Sequence, residues 1–569
     1  MPSPFAKKAA GLLVPVFALR ETGDLGIGDT ASMRAAIDFC VAQKYTVLQV
    51  LPINETSGDN SPYNAISSLA LEPALLRLAP EEVPGLLDEH LHALVYPEIR
   101  EELGGPAVDY PRIKRLKLDL LRLAFAHFGG AGGAAAAERA EFDRFQQRHA
   151  PWLAAYTLFR TLLDHHHGDP RWPLWAPQLR TPAEAEQWVL ALPAAEREEL
   201  ADRRSFYAFV QWIAYRQWGR TKDHATKAGV ALMGDIPFGI SRYSADVWAH
   251  QELFDLQWSG GAPPEKFFQS DRFTARWGQN WGIPIYPWDA HRAEDYAWWR
   301  RRVEGTCQIF HAFRIDHVLG FFRVFSFPWN PERNQEFTDL SEEEAARHTG
   351  GRLPRFIPRP DQPEASAELN AADGRVLLRM IQQAAGASTV VAEDLGLVPD
   401  YVRPLLHDLQ IPGFTLPTFE RNEDRTFKPR EGYPAINIVT YATHDHEPVA
   451  VWYENLVKSW TGPNGDAGWQ EICRVMDFIG WKHEDAPRLY TDALHQRLME
   501  VMFQSPCWLA MLMITDLLGT KQRFNEPGLV GAANWSQRLD RPLQQFLDDP
   551  SYAQRIGGCS RLIAENGRV

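Results

Sequence analysis

Eight short apolar runs punctuate the chain, and most of them end on a polar or charged side chain. They are LLVPVFAL (12–19), YTVLQVLP (45–52), GVALMGDIPF (229–238), HAFRIDHV (311–318), STVVAEDLG (388–396), IPGFTLPTF (411–419), INIVTYATHD (436–445) and LAMLMITDLLG (509–519). Near-continuous hydrophobic runs of this length suit parallel strands covered on both faces, and the intervals between them are long enough for crossover helices. The pattern predicts an α/β fold, a (β/α)8 TIM barrel in which residues 1–569 form one domain. Gln49, Asp235, Asp316, Glu393, Asp445 and Asp516 would then gather at the C-terminal end of the strands, where barrels of this type build their active sites.

Three long intervals read as insertions into that barrel. Residues 75–222, after the second strand, are rich in Ala, Leu and Glu and carry a helical period. Residues 326–374, after the fourth, are rich in Pro and charge and suit an ordered loop or lid. Residues 446–505, after the seventh, again read as helical. No internal repeat and no flexible linker is evident. At the start, Lys7 and Lys8 precede an apolar stretch, the outline of a secretion signal, but Arg20 and Glu21 close it without a small-residue cleavage site, so a first buried strand is the expectation.

A formal net charge of −14 offers no electrostatic footprint for nucleic acid or an anionic membrane, and a neutral ligand fits better. No apolar stretch approaches the roughly 20 residues that span a bilayer. The five cysteines are scattered, with no CxxC pair, which predicts neither a zinc ribbon nor a disulfide framework and points to the cytoplasm.

The chemistry is concentrated in HAFRIDHVLGFFRVF (311–325), where Arg314, Asp316 and His317 interrupt an apolar strand. Residues two apart on a strand share a face, so Arg314 and Asp316 point the same way. A guanidinium beside a carboxylate favours its ionised form where water is scarce, which is how a carboxylate nucleophile is made and equally how a structural ion pair is made. Asp316, Glu393 and Asp445 form a set of strand-end carboxylates. Retaining glycoside chemistry needs one ionised carboxylate and one protonated carboxyl about 5 to 5.5 Å apart, which the fourth and fifth strands of a barrel are placed to supply. Glu393 follows apolar Val390, Val391 and Ala392, whose desolvation would raise its pKa.

The order Arg-x-Asp-His, Glu, His-Asp resembles the α-amylase-like retaining glucosidases and transferases. Further blocks narrow the resemblance: DLGIGD (24–29), SPYNAISSLALEP (61–73), GDIPFGISRYSADVW (234–248), GAPPEKF (261–267), WGQNWGIPIYPW (277–288), VAEDLGLVPDYV (391–402), RFNEPG (523–528) and NWSQR (534–538). Together they are similar to glycoside hydrolase family 77, the 4-α-glucanotransferases called amylomaltases or disproportionating enzymes. The resemblance implies Asp316 as nucleophile, Glu393 as general acid and then base, and Asp445 as the residue that binds and distorts the sugar at the cleavage point. It further implies substrate contacts from Tyr63, Asp235, Trp281, Arg314, His317, His444 and Asn525, a maltooligosaccharide or other α-glucan donor, a sugar acceptor, and neither cofactor nor metal. One departure concerns the residues after Asp445, where many members have Asn and this chain has His446 and Glu447.

Other readings stand beside this one. Asp516 reads as a helix cap as well as a site residue. Trp258, Trp277, Trp281 and Trp288 read as core or as stacking platforms for sugars. DHHHGD (164–169) reads as a metal patch or a solvated helix end. His444 and His446 form an HxH pair that could hold a metal in an amidohydrolase-type barrel, although that reading expects further histidines where Glu393 stands. A glucan hydrolase, or a glucan-binding protein without catalysis, shares the same fold. Chain-length preference, the ratio of transfer to hydrolysis and the oligomeric state are not written in any single motif.

Overall fold

In the computed structural model, all residues are described except 1–4, 6, 57, 131–134, 265–270, 464, 528–530 and 532, so Glu265, Lys266 and Phe267 of GAPPEKF and Gly528 of RFNEPG lie outside the described residues. Eight parallel strands form the centre: β1 (Ala9–Leu13), β2 (Val47–Gln49), β3 (Ala231–Ile236), β4 (Ala312–Ile315), β5 (Thr389–Ala392), β6 (Phe414–Thr415), β7 (Ile438–Val439) and β8 (Leu509–Met513). Neighbours in sequence are neighbours in space, and β8 pairs with β1. Each strand falls within or overlaps one of the eight apolar runs. The first differs most: the strand is Ala9–Leu13, and Val16–Ala18 is a 3-10 turn, because Pro15 has no N–H to offer a ladder.

The barrel closes between β5 and β6 without a regular ladder. Ala392 N donates to Pro412 O at 2.8 Å, and Pro412 cannot return a bond. The carboxylate of Asp394 stands in, accepting the Phe414 N–H at 2.6 Å. Gly413 makes this approach feasible, since a Cβ there would lie 2.7 Å from Asp394 Oδ1. The interior is filled by alternate residues of the strands, among them Leu13, Val47, Met233, Val391, Ile438, Leu509, Met511 and Met513, while Ala510 and Leu512 of β8 face the outer helices.

Between β2 and β3 the chain forms helices that include Tyr110–Gly129, Ala136–His165, Pro182–Ala191 and Ala194–Ala228. The last runs continuously from the insertion into the crossover that packs on the barrel, so a boundary at 222 falls inside a helix; Gly229, at φ 73°, ends it. The segment 326–374 is only partly loop. Val324–Phe327 and Arg355–Ile357 join Asp255–Ala262 and Gln279–Ile285 in an antiparallel four-stranded sheet, and Glu364–Ala385 is the helix leading to β5. Phe273, Trp277, Phe327, Trp329 and Phe337 form the apolar cluster of this subdomain. After β7 come helices Val449–Thr461, Gly465–Ile479 and Asp492–Phe503.

Candidate active site

The site grows from the C-terminal end of β4. Arg314 and Asp316 project together, with Nη2 of the arginine 2.8 Å from Asp316 Oδ1. The β3–β4 register sets Asp235 opposite Arg314, and Arg314 Nη1 donates to its two oxygens at 3.0 and 2.7 Å. One guanidinium therefore clasps two carboxylates. The arginine and Asp235 side chains are 3% and 0% exposed, whereas Asp316 is 27% exposed and open to the cleft. Burial pushes Asp235 above the ordinary carboxylate range against the pull of Arg314.

Glu393 stands level with Asp316 on the neighbouring strand. The register pairs Ile315 with Ala392, and it continues as Glu393 N donates to Ile315 O at 2.9 Å and Val318 N to Glu393 O at 3.1 Å. The carboxyl of Glu393 accepts from His317 N at 2.8 Å and Leu395 N at 3.1 Å. To present that N–H, His317 adopts left-handed backbone, φ 46°, a costly conformation for a residue with a side chain. Burial nevertheless dominates and lifts the Glu393 carboxyl to about 8, with Arg314 opposing and the charge of Asp316 assisting. Two carboxyls on adjacent strands thus sit in contrasting environments, one open and ion-paired, the other buried and favouring its proton.

Asp445 follows β7. Its Oδ1 accepts from Asn525 Nδ2 at 2.8 Å, and Oδ2 lies 3.2 Å from His444 Nε2. Burial acts to raise Asp445, but His444, Arg314 and His446 outweigh it and hold the carboxyl below its ordinary value. Tyr63 joins this arm to the other: its hydroxyl donates to Asp235 Oδ2 at 2.7 Å and lies 2.8 Å from His444 Nε2. A hydroxyl has one proton to give, so the donor in the second contact is the imidazole, which places the proton of His444 on Nε2. Burial lowers the pKa of His444, in keeping with a neutral ring.

Structure thus brings Tyr63, Asp235, Arg314, Asp316, His317, Glu393, His444, Asp445 and Asn525 into one connected network at the barrel mouth. Trp281 joins through His317, with ring centroids 4.8 Å apart, and is 38% exposed. Trp258 and Trp277 are buried, and Trp288 packs on Tyr286 and Phe321, so of the four only Trp281 presents an open face. Two aromatics that sequence reasoning did not single out belong here. Trp535, within NWSQR, packs 5.7 Å from Tyr63 and 5.9 Å from His444. Phe419, the last residue of the sixth apolar run, is exposed beside His446 at 5.5 Å.

His446 is occupied by Thr443, whose Oγ1 lies 2.8 Å from Nδ1, and Glu447 accepts from Asn455 Nδ2 at 2.8 Å. His444 and His446 therefore face different partners, and among the described residues no three His, Cys, Asp or Glu side chains converge as metal ligands would. The DHHHGD segment is tied up locally: Asp164 pairs with Arg160 at 2.7 Å, His166 stacks on Trp175 at 4.7 Å and Asp169 pairs with Arg171 at 2.7 Å. Asp516 is a cap, though not of the short helix Ile514–Leu518 in which it lies. Its Oδ1 accepts the Val449 N–H at 2.8 Å, at the start of Val449–Thr461, and burial lifts its carboxyl to about 7.

A closed parallel α/β barrel whose mouth collects carboxylates in unequal environments defines the chain as a barrel enzyme of the kind suited to glycosidic-bond chemistry. The family model described as 4-alpha-glucanotransferase, glycoside hydrolase family 77, matches residues 14–544, and the chain belongs to that family. A 4-alpha-glucanotransferase from Thermus thermophilus is 31% identical over 503 residues, covering 86% of this chain and 87% of the relative. One from Chlamydia pneumoniae is 28% identical over 555 residues, 94% of this chain and 92% of the relative. In fold, the chain is similar to the amylomaltase from Streptococcus agalactiae in complex with acarbose, with a TM-score of 0.74, 23% identity, and coverage of 99% of this chain and 100% of that one. The activity is accordingly that of a 4-α-glucanotransferase acting on α-glucans. Among the described residues no helix is long and apolar enough to cross a membrane.

Proposed function

We propose that the enzyme cleaves an α-1,4 bond of maltose or a maltooligosaccharide on Asp316 and transfers the glucosyl or glucanosyl unit to the 4-hydroxyl of a second sugar. Glu393, protonated through burial, gives its proton to the departing oxygen while Asp316 Oδ2 or Oδ1 attacks the anomeric carbon, forming a β-linked ester. Glu393, now ionised, takes the proton of the incoming hydroxyl as the ester breaks, and the α configuration is restored. Arg314, paired to Asp316 at 2.8 Å, holds that carboxylate in place for attack. Asp445, Asn525, His444 and Tyr63 bind hydroxyls of the sugar at the cleavage point, and Asp445 favours its distortion toward the oxocarbenium-like transition state. Trp281 offers an apolar face for a neighbouring glucose unit.

The observation that carries this reading is the contrast between Asp316, paired to Arg314 at 2.8 Å, and Glu393, lifted by burial to about 8. Incubation with maltotriose alone tests it. A ladder of longer glucans is expected, with a fluorinated glucosyl donor trapping an adduct that peptide mapping finds on Asp316. Glucose and maltose as the sole products would make the enzyme a hydrolase, and an adduct on another residue would displace Asp316.

A further inference from the structure

Asp516 is a strand-end carboxylate that the scheme above leaves unused. It is 1% exposed, its Oδ1 takes the Val449 N–H at 2.8 Å, and among the described residues its Oδ2 has no hydrogen-bond partner. Among the described residues no cation pairs with it. A carboxyl buried with a single bond is a poor stabiliser, since its desolvation costs more than one hydrogen bond returns. Its placement is better explained by what it holds. Val449 opens a 13-residue helix whose N-cap, Pro448, supplies no side-chain bond, so the helix start depends on a carboxylate reaching over from the end of β8.

Val449 lies four residues beyond Asp445, and besides the local contacts of His446 with Thr443 and Glu447 with Asn455, three bonds tie this segment to the β8 side. Asn525 Nδ2 binds Asp445 Oδ1 at 2.8 Å, Arg523 Nη2 reaches the Asp445 carbonyl at 3.4 Å, and Asp516 anchors Val449. On the β7 side the strand contributes only Ile438 and Val439. We infer that Asp516 is a positioning residue for Asp445, fixing the far end of its loop to β8 so that the carboxylate meets the sugar ring at the cleavage point. The inference rests on the proposed role of Asp445.

Three variants test it, assayed per natively folded molecule. Asp516→Ala removes the acceptor. Val449→Pro removes the donor and leaves Asp516 in place, at a first helical position that accepts proline and after a Pro448 whose ψ of 150° tolerates it. Asp516→Asn keeps an oxygen for the N–H. Because Asp445 acts on the sugar and not on the leaving group, the first two should lose about 10- to 100-fold in kcat on both maltotriose and α-glucosyl fluoride, with little change in KM. Asp516→Asn should retain most of the activity. Unchanged kcat in Asp516→Ala and Val449→Pro would overturn the inference, as would equal losses in Asp516→Ala and Asp516→Asn, or a loss confined to maltotriose. Asp445→Asn is the control: if it remains active, the reading of the site has failed and not the tether.

Discussion

Two arginines are buried at opposite ends of the barrel and are held in opposite ways. Arg314, at the mouth, is clasped by Asp235 and Asp316, and although burial works to lower its pKa, those carboxylates raise it well above the ordinary value. Arg568, at the floor, donates to the carbonyl oxygens of Phe503 and Ser505 at 2.7 Å, Cys507 at 3.0 Å and Ala9 at 3.1 Å. No carboxylate pairs with it among the described residues, and burial lowers its guanidinium to about 10. Ala9 opens β1 and Cys507 lies just before β8, so Arg568 ties together the starts of two adjacent strands. Carbonyl dipoles satisfy every direction of a fork without adding a titratable charge, which makes a lock. Carboxylates cancel the charge, and where one of them is left partly open the same clasp presents an ion-paired carboxylate to the cleft.

The sharpest way to break this comparison is at the mouth. Asp316→Asn should lower turnover on the order of 10⁴-fold or more, because the covalent step has no other carboxylate in line, while the thermal unfolding midpoint stays close to wild type. Initial rates on maltotriose beside a melting curve decide it, and a variant keeping a few per cent of wild-type rate would remove Asp316 from the role.

Glu393→Gln comes next, with an expected loss of about 10²- to 10⁴-fold on natural glucans, whose leaving oxygen needs a proton. α-Glucosyl fluoride should still load Asp316, and added azide should then release α-glucosyl azide, since it enters on the face opposite the β-linked ester. Recovery of the β anomer from this variant would exchange the two roles.

At the floor the effect should appear in stability and not in chemistry. Arg568→Ala leaves a group of buried carbonyls without donors and should cost on the order of 3 kcal/mol, read as an earlier denaturant or thermal midpoint, with kcat per folded molecule unchanged. A comparable fall in kcat with an unmoved midpoint would show that the two ends are not separate in function.

The smallest effect is a pH limb. Folding raises Glu393 above its ordinary range to about 8, so the native state holds a proton that the unfolded chain has already released. Both acid function and this group's contribution to stability therefore decline as pH climbs through about 8, and kcat/KM should fall with unit slope there. Removing the Asp316 charge, which helps raise Glu393, should move the Glu393 titration downward when followed by carbon-13 NMR. An unmoved titration would mean that the two carboxyls do not sense each other.

Much of the site was legible in the residue order, and the limits of that legibility are physical. Arg314 and Asp316 are two apart on a strand, so strand geometry alone puts them side by side. Glu393 follows three apolar residues, and its raised pKa follows from that burial. The insertion edges were less legible: the boundary at 222 cuts a helix that is continuous in packing, and segment 326–374, rich in Pro and charge, pairs as sheet only because residues 255–262 provide an edge to receive it. Bulges at Gly260 and Gly261 break the alternation that would have announced those strands.

The sequence by itself determined the eight strands, the order of the carboxylates along them and the local pair at 314 and 316, because each of these depends on residues within a few positions of one another. Only the tertiary structure decided that Arg314 also holds Asp235, 79 residues away, that Tyr63 links Asp235 to His444, that Asp516 caps a helix begun 67 residues earlier, and that Arg568 closes the floor. Those contacts depend on strand register and on which elements the closed barrel brings together, and no local pattern of residues specifies either.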